Sequence, residues 1–381
     1  MIERQDVRPR VLRDVPARVL AYRLEADIDS PRQQIEDPGE KHEAIQKDFS
    51  TRRTNDALIR TVTSPDGHRV VALYGTDEEP TSVFRIDLYS SDGQFLRNLS
   101  PPTLSCVFPE TVAWSPDNNM LTFIAHKRAT PSPSPTPPPS IIEEPSASPQ
   151  SSPTVAPSFA PVAAFQTEQI YICNRDGYDL RPLTTREGLI YFAFSWAPDS
   201  HALVALACKE SEWNARERQS KLPAGRPRLI TVDSQERLLD DGLAEAVPVW
   251  SPDASKVATA FDTDVAIYDA ATDKPTQARL PLRDQLIAAS VVYEQKVAAK
   301  KAQQANKGNG STGPAGSPSP VAQTAPQGVP ASFNPIVRLE WPSPERLYFQ
   351  TAYVLLTPNE SITTFPRWHL LQLSAQAAVL K

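Results

Sequence analysis

Five histidines, four recurring aspartates and three cysteines are the side chains here that could do chemistry. His42, His68, His126, His201 and His369 form no H-E-x-x-H or H-x-H pattern, the spacings that turn two imidazoles toward one metal ion. His68 and His201 each stand two residues after a Pro-Asp pair, which marks them as residues flanking a surface turn. Asp66, Asp117, Asp199 and Asp253 could attract calcium, but each stands in its own segment outside any D-x-D-x-D-G loop, so turn capping is the better account. Cys106, Cys173 and Cys208 are odd in number and include no C-x-x-C, so they read as buried small hydrophobes rather than a disulfide framework or zinc site. Ser311, between Gly308 and Gly313, lacks the G-x-S-x-G spacing of a hydrolase nucleophile. No Gly-rich phosphate loop is present. The expectation is therefore a chain without catalytic, cofactor-binding or metal-binding residues, and no motif names a partner-binding residue.

The elements that would position any site repeat along the chain. Thr63-Ser64-Pro65-Asp66 leads into Arg69–Tyr74, Trp114-Ser115-Pro116-Asp117 into Met120–Ala125, Trp196-Ala197-Pro198-Asp199 into Ala202–Ala207, and Trp250-Ser251-Pro252-Asp253 into Lys256–Phe261. A degenerate fifth copy runs Trp341-Pro342-Ser343-Pro344-Glu345, then Leu347-Tyr348-Phe349. Proline fixes φ at the first corner of a turn, aspartate suits the second, and a short apolar strand returns along the first. The flat indole suits packing between neighbouring sheets. A second hairpin follows each first one. Phe84–Tyr89 and Phe95–Leu99 flank Asp92-Gly93, and Ile170–Cys173 and Leu180–Thr184 flank Asp176-Gly177. Weaker copies lie at Leu229–Val232 with Arg237–Leu239, at Val265–Asp269 and at Trp368–Leu373. Asp66 to Asp117 is 51 residues and Asp199 to Asp253 is 54, and the two longer intervals shrink to about 50 once their insertions are removed. Four strands per repeat is one blade, so the fold class is all-β: a β-propeller of five or six four-stranded blades, with a short N-terminal α/β extension and two long disordered insertions.

Residues 1–56 form that extension and 57–381 the propeller. Arg18–Leu24 alternates like a strand, and Asp37 to about Thr51 looks helical; an N-terminal strand that completes the last blade is a usual way to close a ring. The insertions are a Pro/Ser-rich tract at 129–163 and a Lys/Gly/Ser/Pro-rich tract at 296–333, which hold many of the 39 prolines and too few large apolar residues to order themselves. Gln285 to Lys301 reads either as a helix or as a decayed strand pair, and Lys296, Lys300 and Lys301 as a solvated face. A net charge of −6 gives no field for a phosphate backbone, which argues against nucleic acid. No run of 18 apolar residues spans a membrane, and Met1-Ile-Glu-Arg-Gln-Asp has no apolar signal-peptide core.

The repeated Trp-Ser-Pro-Asp turn with its short apolar strand resembles the TolB-like, WD-repeat-like propellers of bacterial envelopes. The resemblance covers about 57–283 and, more loosely, 335–373; it departs at Thr63 and at the fifth copy. It implies a non-catalytic, monomeric protein-interaction scaffold that binds a protein or peptide, in the periplasm or associated with the envelope. The alternative is a propeller enzyme or small-ligand binder with a site at the central channel mouth, or the propeller half of a peptidase-like assembly.

Overall fold

The computed structural model describes residues 11–31, 41–76, 82–129, 162–272, 274–308, 334–356 and 361–375. After two 3₁₀ turns at Leu12–Asp14 and Ala17–Val19 come β1 (Ala21–Ile28) and helix α1 (Glu43–Thr51). The first sheet holds β2 (Asp56–Thr63), β3 (Arg69–Thr76), β4 (Arg85–Ser90) and β5 (Phe95–Asn98), paired in that order. The second holds β6 (Leu104–Val107), β7 (Ala113–Trp114), β8 (Met120–Lys127), β9 (Gln169–Asn174) and β10 (Arg181–Pro182). Both β6 and β7 pair with β8, so its first strand is one blade strand split by the 3₁₀ turn Pro109–Thr111. The third holds β11 (Leu189–Trp196), β12 (Ala202–Lys209), β13 (Arg226–Thr231) and β14 (Glu236–Leu238), with helix α2 (Glu210–Arg218) between β12 and β13. The fourth holds β15 (Val249–Trp250), β16 (Lys256–Phe261), β17 (Asp264–Asp269) and β18 (Gln277–Pro281). Helix α3 (Arg283–Gly308) precedes β19 (Ile336–Ser343), β20 (Arg346–Leu356) and β21 (Ser361–Ser374), and the fifth sheet runs β1-β21-β20-β19.

These antiparallel sheets of four blade strands are the β-propeller architecture that the repeats predict, with five blades among the described residues. The N-terminal strand does complete the last blade: Ala21 pairs with Ser374 and Leu24 with Leu371. It starts three residues later than the alternation of Arg18–Leu24 suggests, because Ala17–Val19 forms a 3₁₀ turn. The described residues form no sixth blade: β1 joins the fifth, and Arg283–Gly308 is α3, the helix rather than the strand pair. The helix also runs through 296–308, inside the tract expected to be a disordered insertion; most of that tract and of 129–163 lies outside the described residues.

By contacts the chain forms two compact units, Pro38–Ile190 and Met1–Asp37 with Tyr191–Lys381. In the first, the alternation of β3 sends Val71 and Leu73 into a core with Ile86, Leu88, Trp114, Leu121 and Phe123. The opposite face, Val70, Ala72 and Tyr74, is covered by Ile45 and Phe49 of α1. In the second unit Val257 and Phe261 pack with Val204, Leu206 and Trp250, while Ala258 and Ala260 face the fifth sheet and the N-terminal Leu12, Val15, Ala17 and Leu20.

The tryptophans bind sheet to sheet by hydrogen bonds as well as by area. Trp114 Nε1 donates to Val62 O of the preceding blade at 3.1 Å, and Trp250 Nε1 to Ser195 O of its preceding blade at 3.1 Å. Trp341, in the degenerate copy, donates instead to Pro344 O of its own turn at 3.2 Å.

Candidate functional site

The recurring aspartates cap turns. Ser64, Ser115 and Ser251 donate through Oγ to Asp66, Asp117 and Asp253 at 2.6, 2.5 and 2.6 Å. The same carboxylate oxygens accept the backbone N–H of His68, Asn119 and Ser255, and the serine oxygens accept those of Arg69, Met120 and Lys256. Asp199 caps the His201 N–H at 3.1 Å, although Ala197 leaves its turn without the hydroxyl. Each turn then passes through the left-handed region, at Gly67 (φ 72°), Asn118 (65°), Ser200 (63°) and Ala254 (57°). Hydrogen bonds from Ser64 and from the His68 N–H hold the Asp66 carboxyl below the usual range.

The other singled-out residues are dispersed. His68 and His201 are exposed beside their turns, His42 precedes α1, and His126 Nδ1 lies 3.6 Å from Glu168 Oε1. The three cysteines are buried, and burial pushes Cys173 up to about 12. Ser311 lies outside the described residues. Lys296 and Lys300 stand exposed on α3. Among the described residues no three His, Cys, Asp or Glu side chains converge as a metal site would require.

The structure instead brings together residues that no motif marks. β4 alternates Arg85, Asp87, Tyr89 against Ile86 and Leu88, and α1 covers the face that carries Asp87. A carboxylate there is costly unless it is paired. Arg53, just past α1, reaches it with Nη1 at 2.5 Å, Asn98 Nδ2 donates at 2.6 Å, and Tyr74 Oη donates at 3.4 Å. Arg53 also donates to Asp56 through Nε at 2.9 Å and to Tyr89 Oη at 3.1 Å. Its guanidinium lies between two rings, 4.2 Å from the centroid of Phe49 and 4.1 Å from that of Tyr74. Burial opposes its charge, but the attraction and hydrogen bonds of Asp87 and the bonds to the two tyrosines outweigh that, so its pKa stands above the ordinary value. Burial, together with Asp87, pushes Tyr74 up to about 12, and burial does the same to Tyr89. Both phenols stay protonated at neutral pH. Between α1 and β5 this cluster opens into a cleft of about 360 Å³ with Asp48, Phe95 and Asn98 on its walls.

A second cavity, about 580 Å³, lies in the other unit between the N-terminal segment and the fourth sheet, lined by Arg13, Val15, Ser255, Asp269 and Lys274 among others. Asp269 in its wall is half of a buried ion pair: Lys256 Nζ donates to Asp269 Oδ1 at 2.8 Å and to Val15 O at 2.7 Å. Asp269 also accepts the Ala17 N–H and two bonds from Thr276. Burial opposes its charge, but the bonds from Lys256 and Thr276 win and hold the carboxyl below its usual range. The Ala17 bond to this acid and the Lys256 bond to Val15 O fasten the N-terminal segment to the sheet.

No protein-family model matches the chain, and no curated protein matches it in sequence. Among solved structures it is similar to TolB of Agrobacterium tumefaciens, at 16% identity over 58% of this chain and 64% of that one, TM-score 0.32. It is similar to dipeptidyl peptidase 4 of Porphyromonas gingivalis, at 10% identity over 80% of this chain and 46% of the peptidase, TM-score 0.37. The nidogen/laminin complex includes a further similar chain, at 10% identity over 84% of this chain and 86% of that one, TM-score 0.32. The chain thus spans less than two thirds of the TolB and peptidase chains. Among the described residues no helix is long and apolar enough to cross a membrane.

Proposed function

We propose that this chain is a non-catalytic, TolB-like β-propeller that binds a protein or peptide partner as a monomeric scaffold in the bacterial cell envelope. The observation that carries this reading is the outer edge of the first unit. Phe95 and Leu96 on β5 and Tyr178 in the β9–β10 turn are 51%, 40% and 54% exposed, although hairpin strands hold them in place. Arg97 Cζ lies 3.4 Å from the centroid of the Tyr178 ring, so that turn and β5 form one continuous surface. Gly177 permits the approach, since a Cβ there would meet Leu99 Cδ2 at 2.2 Å. Aromatic residues on a rigid surface supply contact area at low entropic cost, and arginine on an aromatic face is a frequent member of binding hot spots.

Affinity capture from a bacterial envelope extract tests the reading, with the native chain compared against a Leu96→Glu/Tyr178→Glu variant of matching circular dichroism. A protein retained by the native chain and released by the variant supports it. Equal retention by both, or hydrolysis of proline-containing peptides by the purified chain, would sink it.

A further inference from the structure

We infer that the cleft between α1 and β5 is a receptor for a lysine side chain of the partner, an inference that rests on the scaffold reading above. Two carboxylates line the cleft, Asp48 and Asp87, against one internal cation, Arg53. That cation is committed: Asp87 and Asp56 hold its nitrogens at 2.5 to 2.9 Å, and Phe49 and Tyr74 hold its plane. Asp87 is closed off as well, with its side chain 3% exposed and bonds from Arg53, Asn98 and Tyr74. Asp48 is the more accessible of the two carboxylates, its side chain 17% exposed against 3% for Asp87. It accepts one bond from Tyr89 Oη at 3.3 Å, and its other neighbour is Arg52 at 3.6 Å, a side chain 83% exposed and therefore screened by water.

The walls around Asp48 suit a long cationic side chain. Phe95 stands edge-on to Tyr89 with centroids 5.7 Å apart, and half of it is open to solvent. An aliphatic stem lies on such a ring while the ammonium at its end reaches the carboxylate, as lysine stems do on apolar surfaces. The cleft is already a cation site in its interior, where the protein's own arginine is stacked between rings and paired with acids. An incoming ammonium repeats that arrangement one carboxylate further out. An anion would meet Asp48 with only the exposed Arg52 to attract it. A neutral apolar side chain would leave Asp48 desolvated without a counter-ion. Phe95 belongs both to this cleft and to the exposed residues that carry the scaffold reading.

The full chain is titrated with the peptide acetyl-Ala-Lys-Ala-amide, with its norleucine counterpart and with n-butylamine, followed by heteronuclear NMR of the α1 and β5 amides. The lysine peptide is expected to shift those amides saturably, the norleucine peptide not at all, and the binding to weaken as salt rises. Asp48→Asn is expected to weaken the lysine peptide at least about tenfold, and Arg52→Gln, which removes the competing cation, to strengthen it. Opposite shifts from two neighbouring substitutions separate the effect from unfolding of α1. Equal binding of lysine and norleucine peptides, or unchanged binding to Asp48→Asn, overturns the inference. n-Butylamine, which is the lysine side chain alone, is expected to displace the peptide from the same amides; a peptide that n-butylamine cannot displace overturns the assignment to the side chain. Loss of the lysine effect while envelope capture persists removes this receptor and leaves the scaffold; loss of both removes the scaffold as well.

Discussion

His369 is 1% exposed in β21 and stacks on Phe349 with ring centroids 5.0 Å apart. Its Nδ1 accepts the Asp27 N–H at 3.4 Å, so the neutral ring carries its proton on Nε2, 3.0 Å from Thr351 Oγ1. Burial, with the nearby Arg367 charge, lowers its pKa to about 4 from an ordinary 6.5. The sign of the linkage follows. Between these values the unfolded chain binds the proton and the folded chain does not. Stability is therefore whole above pH 6.5, is lost as pH falls from 6.5 to the folded value near 4, and levels off below it. The loss from this one group is about 1.4 kcal/mol at pH 5.5 and roughly 3 kcal/mol at pH 4. Urea unfolding of the native chain and of His369→Gln at pH 7, 5.5 and 4 measures it. The native chain should lose more stability than the variant by those amounts, and parallel curves would contradict the assignment.

At the scale of elements, the hairpins were legible because each turn uses chemistry that proline, aspartate and a left-handed fourth residue make explicit. The charged helix α2 was not legible. Its sequence, Glu210 to Arg218, carries no apolar period, and none of its residues is buried. It is held by polar pairs and one aromatic contact: the Lys209 N–H donates to Glu212, Arg226 grips the same carboxylate at 2.7 and 2.9 Å, and the Trp213 ring lies 5.6 Å from that of Phe192. Hydrogen bonds to Glu212 set both shifts, its own pKa downward and that of Arg226 upward. The helix ends in a Schellman motif. Ser220 N–H bonds to Glu217 O and Lys221 N–H to Arg216 O, with Ser220 at φ 51°. That conformation costs a residue with a Cβ about 1–2 kcal/mol, part of which glycine returns through its freer unfolded chain. Ser220→Gly should thus stabilise by about 0.5–1 kcal/mol, read as a higher urea midpoint at unchanged slope. A lower midpoint would mean that the exposed serine makes a contact worth more than its strain. The α1 cleft escaped sequence reasoning for a related reason. Arg85, Asp87 and Tyr89 alternate with Ile86 and Leu88 as an ordinary solvent face would, and only the docking of Ile45 and Phe49 makes that face interior. Asp48 and Arg53 come from another element, and no spacing ties them to β4.

For the whole molecule, the repeats announced the blades but left open what finishes the fifth. The answer lies more than three hundred residues upstream, where a weakly alternating stretch gave only a hint. β1 closes the fifth sheet, and two polar anchors fix its ends. Arg367, 4% exposed, holds Asp27 through Nε at 2.5 Å and through its Nη2 at 2.7 Å, and the Lys256–Asp269 pair holds the backbone at Val15 and Ala17. Leu12, Val15, Ala17 and Leu20 bury their side chains in the same core. Removal of residues 1–31 takes the carboxylate of Asp27 from a buried guanidinium, a loss of about 3–5 kcal/mol, and leaves the edge of β21 open to pair with other chains. Lost burial of the two leucines and the valine adds roughly 1.5–3 kcal/mol for each. Together these approach the whole stability of a typical domain. The shortened chain should accordingly be insoluble, or lack the near-ultraviolet dichroism of packed tryptophans. A synthetic peptide of residues 11–31 supplied during refolding should restore both, because strand addition needs no covalent link. A shortened chain that unfolds at the midpoint of the full one would show that the fifth blade stands without its N-terminal strand.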